Sequence, residues 1–155
     1  MGILHDGQHF LIEDYAIAVS PGLQLPQAKS LDQVTLDAIA FGLSEIRLDF
    51  QPHEGFAPLT NVETELATIN TQLPSRQYLN QGFTAHTLQS LNELGSASIV
   101  HLATHGQFSS NPNDTYLLAW DRRITLNDFS QILQQQPASE AKDIELLILS
   151  ACKTA

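Results

Sequence analysis

Short runs that are apolar at successive positions, rather than at every second one, alternate along most of this chain with segments of helical spacing, and that alternation limits its fold more than any other feature. "LDAIAFGLSE" (36–45), "RQYLNQ" (76–81), "ASIVHLATHG" (97–106) and "IELLILSAC" (144–152) read as strands. Apolar residues on both faces of a strand require cover on both faces. The segments between them supply it. In "TNVETELATINTQLP" Val62, Leu66, Ile69 and Leu73 follow helical spacing, Thr60 or Asn61 can cap the first turn, Glu63 and Glu65 suit the dipole, and Pro74 stops the helix. "TAHTLQSLNELGS" has Thr84 as cap, a stripe of Leu88, Leu91 and Leu94, and Gly95 as its stop. In "TLNDFSQILQQ" Thr125 is the cap, and Leu126, Phe129, Ile132 and Leu133 are expected to point inward. The expected fold is a three-layer α/β/α sandwich with a mainly parallel sheet.

Outside this alternation, "ILHDGQHFLI" reads as a hairpin around Asp6-Gly7, "YAIAVSPG" as another strand, "LDFQPHEGFAPL" as a loop, and "DTYLLAWD" as a hairpin arm. No repeat, low-complexity segment or like-charge block divides the 155 residues, which are read as one domain, 1–155.

Charge and cysteine content exclude several classes. With 7 basic and 17 acidic residues the net charge is −10, which repels a phosphate backbone, so no nucleic acid is expected as partner. The start "MGILHDGQHF" lacks the basic and apolar regions of a signal peptide. No apolar run approaches the roughly 18 residues of a membrane span, so no membrane association is expected. The single cysteine, Cys152, forms no internal disulfide and fits a reducing compartment, the cytoplasm. There is no G-x-S-x-G elbow, P-loop or Gly-rich dinucleotide pattern, and no cofactor is expected.

The chemistry gathers at two strand ends. In open parallel sheets, functional groups collect where strands end at their carboxyl side. His105 and Cys152 both stand there. If their strands are neighbours, the imidazole can take the thiol proton and activate the sulfur. Gly106, without a Cβ, lets its N–H approach a substrate carbonyl and act with the Cys152 N–H as an oxyanion hole. Lys153 can help hold a thiolate. The plainer reading of a lone cysteine is a small buried hydrophobe, and on chemistry alone both stand. His101, between Val100 and Leu102, reads as a satisfied core histidine. Four residues of strand separate it from His105 by roughly 13 Å, too far to share a metal, so no metal site is expected. His5, His9, His53 and His86 are expected in solvent.

"IVHLATHGQF" and "LLILSACKTA", with His105 and Cys152 lying 47 positions apart (152 minus 105), strongly resemble the CHAT family. These are bacterial caspase-like domains often attached to tetratricopeptide repeats. "LHDGQHFLIEDYAIAVSPGLQL", "AFGLSE", "GFAPLTNVETELATI" and "LNQGFTAHTL" resemble matching segments in the same order. Caspases also carry a histidine about 50 residues before the nucleophile. The resemblance implies a caspase-hemoglobinase fold, His105 as general base, Cys152 as nucleophile, and the Gly106 and Cys152 amides as oxyanion donors. The implied activity is a cysteine peptidase acting on a protein or peptide substrate through a Cys-His dyad, with a tetratricopeptide-repeat region as a neighbour in the parent protein. The alternative from a different class is a catalytically silent caspase-like module for protein interaction.

Two departures from the family pattern matter. Family members commonly have Glu where this chain has Lys153, so an acid is replaced by a base. Complete caspase-like domains continue past the cysteine, so 1–155 is expected to be the N-terminal portion of one CHAT domain, truncated after the nucleophile strand and inactive alone. The strand leading to Cys152 then has a free edge open to pairing with another chain. The negative charge would attract basic substrates on average.

Overall fold

The computed structural model describes residues 36–92, 97–109, 111–134, 144 and 146–151. The expected hairpin and strand near the N-terminus, the Gly95 stop, His5 and His9, and the segment 152–155 with Cys152 and Lys153 lie outside the described residues.

Four strands form a parallel sheet: β1 (Ala38–Gly42), β2 (Ser75–Leu79), β3 (Ile99–Ala103) and β7 (Leu146–Ser150), in the order β2-β1-β3-β7. Ala38 of β1 faces Ser75 on one side and Ile99 on the other, and Ala103 of β3 faces Ser150 of β7. β1 is buried along its whole length, as its uniform AIAFG sequence requires. Among the described residues β2 is an edge strand, and Arg76 and Gln77 are exposed on it. A second sheet of β4 (Gly106–Gln107), β5 (Tyr116–Leu118) and β6 (Arg123–Thr125) is antiparallel, with "DTYLLAWD" as the expected hairpin arm.

Helices cover the parallel sheet. On one face, α1 (Val62–Gln72) packs Val62 and Leu66 on Ala40 and Ala103. On the other, Ile39, Phe41, Val100 and Leu102 meet Phe83, Leu88 of α2 (Ala85–Gln89), and Leu117 and Ile124 of the second sheet. Phe41 stacks on Tyr78 at 5.2 Å and tilts against Phe83 at 5.4 Å. The Thr84 hydroxyl caps α2 by accepting from the Thr87 N–H. α3 (Leu126–Gln134) begins with a reciprocal cap, in which Thr125 donates from its N–H and hydroxyl to Asp128, both at 2.8 Å, and accepts from the Asp128 N–H. Burial would raise the Asp128 carboxyl, but the Thr125 hydrogen bonds and Arg122 outweigh it and hold the group below its ordinary value.

Three expectations are corrected. Among the described residues nothing covers the doubly apolar strand β7: Leu146, Leu147, Ile148 and Leu149 are 37–48% exposed, on both faces. It borders only β3, and among the described residues nothing pairs with its outer edge. Leu126 is exposed rather than inward because it opens α3 beside that uncovered strand, where it and Leu147 and Leu149 line one shallow apolar groove; Phe129 is partly buried. The side chains of Ile132 and Leu133 lie outside the described ones. Asn61 occupies the cap position of α1 but makes no capping bond with its side chain.

Gly42 shows how closely α1 approaches the sheet. A Cβ there would stand 2.7 Å from Val62 Cγ1 and 2.9 Å from Leu66 Cδ2. Gly42→Ala should therefore destabilise the fold by about 1–3 kcal/mol. Chemical denaturation measures it, and a neutral result would mean the α1 contact is looser than described.

Candidate functional site

β3 ends at Ala103, and the chain turns from the parallel sheet into the second sheet over Thr104 and His105. Several backbone bonds fix this corner. The Thr104 N–H donates to the Ser150 carbonyl at 3.1 Å, continuing the β3–β7 ladder, and the Leu118 N–H donates to the His105 carbonyl at 2.9 Å. The Thr104 hydroxyl, itself buried, donates to the Leu118 carbonyl at 2.6 Å. His105 thus stands where two sheets meet and its main chain has little freedom.

The His105 ring is 4% exposed. Its Nε2 lies 2.7 Å from the carbonyl oxygen of Ala57, and its face lies against Phe56 with ring centroids 4.8 Å apart. A carbonyl only accepts, so Nε2 carries the proton. In the neutral ring Nδ1 therefore holds the lone pair, which makes it the nitrogen able to take a proton. The carbonyl also orients the ring, as a carboxylate does in the serine hydrolase triad, but with a dipole in place of a full charge.

Ala57 reaches this position on a long connection between β1 and α1, which needs its own anchors. Ser44 begins it. The Leu59 N–H donates to the Ser44 carbonyl at 2.9 Å, closing the connection at its base. The Ser44 and Glu45 N–H groups donate to Asn80 Oδ1 at 2.8 and 3.1 Å, and the Ser44 hydroxyl donates to Glu63 at 3.0 Å. Asn80 adopts a left-handed backbone with φ of 49°, which asparagine tolerates better than most residues.

His53 anchors the middle of the connection, and its expected place in solvent is corrected: it is 1% exposed. Its Nδ1 accepts from the Arg47 N–H at 3.0 Å, and its Nε2–H donates to the Ala119 carbonyl at 2.9 Å. Both ring nitrogens are satisfied, and that is what permits burial. Arg47 in turn lies over Phe50 at 4.2 Å and near Trp120 at 5.5 Å. His86 is exposed, in line with expectation.

Gly106, the first residue of β4, is buried, and a Cβ on it would come within 2.8 Å of Leu117 Cδ2 and 3.1 Å of the Ala151 Cβ. Close packing against Leu117 of β5 and against Ala151, just after β7, therefore requires glycine here. Ala151 is the last described residue before Cys152. Parallel pairing of β3 and β7 brings the two chemistry-bearing strands side by side.

His101 belongs elsewhere. It is buried on β3, and its Nε2 donates to Glu65 of α1 at 2.8 Å, while its Nδ1 is buried without a partner among the described residues. It is a core histidine, though only half satisfied. His101 and His105 serve different partners, and among the described residues no group of His, Cys, Asp and Glu could hold a metal. A cavity of about 370 Å³ opens beside His105 between the Pro58–Asn61 segment, the first turn of α1, and Thr104 and Ser150. No described helix is long and apolar enough to cross a membrane.

Sequence reasoning missed the Ala57 carbonyl, the Phe56 ring and the place of Glu65. The first is a backbone atom with no residue signature. The only trace of the others was the irregular "GFAPL" before α1 and an acid in that helix's first turn.

The chain matches the family model of the CHAT domain over residues 1–155, and a search of curated proteins gives no match.

The anchoring of the β1–α1 connection can be tested at His53. His53→Ala leaves the Arg47 N–H and the Ala119 carbonyl without partners in a buried place. Stability should fall by about 2–6 kcal/mol, since each of the two orphaned groups costs about 1–3 kcal/mol. A loss below about 0.5 kcal/mol in urea denaturation, no more than a typical surface substitution, would contradict the described anchoring.

Proposed function

The chain belongs to the CHAT domain family, a caspase-like and peptidase-related group, and from that premise we propose that it carries the Cys-His dyad of a cysteine peptidase, with His105 as base and Cys152 as nucleophile. One observation carries the proposal. The bond from His105 Nε2–H to the Ala57 carbonyl leaves Nδ1 as the basic nitrogen, on a ring held at the carboxyl end of the strand beside the one that leads to Cys152.

In this reading the Cys152 thiol gives its proton to His105 Nδ1, and the thiolate attacks the carbonyl carbon of a peptide bond. The imidazolium is stabilised as it forms, because its Nε2–H bond to Ala57 becomes charge-assisted. The tetrahedral oxyanion takes hydrogen bonds from the Gly106 and Cys152 N–H groups. Collapse breaks the C–N bond, and the leaving amine takes the proton from Nδ1. Water, deprotonated by the same nitrogen, then hydrolyses the thioester and restores the thiol. Every proton taken is returned, and no cofactor takes part.

Cys152 is the only cysteine, so alkylation reports on it alone. Iodoacetamide at pH 6–7 should modify Cys152 about ten-fold faster than a free thiol of pKa about 8.5. His105→Ala should remove most of that advantage. Equal rates in the two proteins would overturn the dyad and favour the silent interaction module.

A further inference from the structure

We infer that the cavity beside His105 takes a basic side chain, lysine or arginine, and that Glu65 selects it. As a statement about substrate, this rests on the peptidase reading above; as a statement about binding, it stands on the cavity alone.

Of the described residues that line the cavity, Glu65 is the only acid, and none is a lysine or arginine. Pro58, Leu59 and Val62 provide apolar wall for the methylene stem of a long cation. Glu65 is 34% exposed, and its Oε1 is held by His101 from below at 2.8 Å. That leaves the other oxygen for a ligand in the cavity. A guanidinium or an ammonium suits such a carboxylate oxygen.

The state of His101 decides the sign of the pair. Its Nε2 donates to Glu65, and its Nδ1 is buried without any acceptor among the described residues. A second proton, on Nδ1, would leave a charged donor unpaired in the protein interior, which is the more costly arrangement. With the Nε2–H ring neutral, the pair keeps the single negative charge of Glu65. A positive field from the amino end of α1 also reaches the cavity, through Asn61 and Val62. It amounts to about half a unit charge, and the full charges of Glu63 and Glu65 in the same turn exceed it. The described lining of the cavity is therefore net negative. An acidic side chain would meet repulsion there, and an apolar one would cover Glu65 without pairing it.

The test is equilibrium binding, read by NMR titration of the Thr60–Glu65 amide signals with Nα-acetyl-argininamide, Nα-acetyl-norleucinamide and Nα-acetyl-glutamamide. Arginine should bind about ten-fold or more tightly than norleucine, as a charge-assisted bond implies. Glu65→Gln keeps the size and the acceptor for His101 but removes the charge, and it should erase the difference. Glu65→Lys should reverse the order in favour of the glutamate compound. Equal binding of arginine and norleucine, or an arginine preference that survives Glu65→Gln, overturns the inference. Because binding needs no turnover, His105-independent alkylation together with Glu65-dependent arginine binding would sink the peptidase reading and keep the pocket. The opposite pair of results would sink the pocket and keep the dyad.

Discussion

A single hydrogen bond, from His105 Nε2–H to the Ala57 carbonyl, joins the two parts of the molecule on which the proposed chemistry depends. One part is the end of β3, held by β1 and β7 on either side and turned by Thr104 and Gly106 into the second sheet. The other is the β1–α1 connection, which has no regular structure beyond a short turn at Gln51–His53. Without the bond the imidazole would still sit at the strand end. Its tautomer would be free, and the nitrogen facing a nucleophile would vary. With it, the protonated nitrogen is spent on a fixed carbonyl and the basic one is left over.

That arrangement explains why so many polar groups are buried in an otherwise apolar unit. Ser44, His53, Thr104 and His105 are all buried, and each has a specific partner. A loop is placed accurately only if its backbone groups are satisfied by something rigid, and here the rigid partners are Asn80, Ala119 and Leu118. The aliphatic core beneath, from Phe41 and Leu102 to Leu88, supplies the stability that such a network does not supply by itself.

The sheet was legible in the sequence because its signals are local. β1 and β3 are apolar at successive positions, the helices have stripes and caps, and strand ends in parallel sheets collect function. The place of His105 and Gly106 just after β3 followed from that logic. Other features depend on contacts between distant segments. The burial of His53 requires Ala119 at a separation of 66 residues, and nothing in "QPHEGF" announces it. Glu65 reads locally as an acid complementing a helix dipole, and only the packing of α1 on β3 shows that it meets His101. The same limit applies to β7: "LLIL" requires cover, but whether cover is present is a tertiary fact, and the described residues leave both faces open.

The central claim is the tautomer of His105, and nitrogen-15 NMR of the imidazole reads it directly. The account predicts that in the resting protein Nε2 of His105 carries the proton, with a one-bond nitrogen–proton coupling, while Nδ1 is unprotonated. A proton found on Nδ1 with a bare Nε2 would contradict it, because the Ala57 carbonyl would then face a lone pair and the ring could offer no base where one is needed.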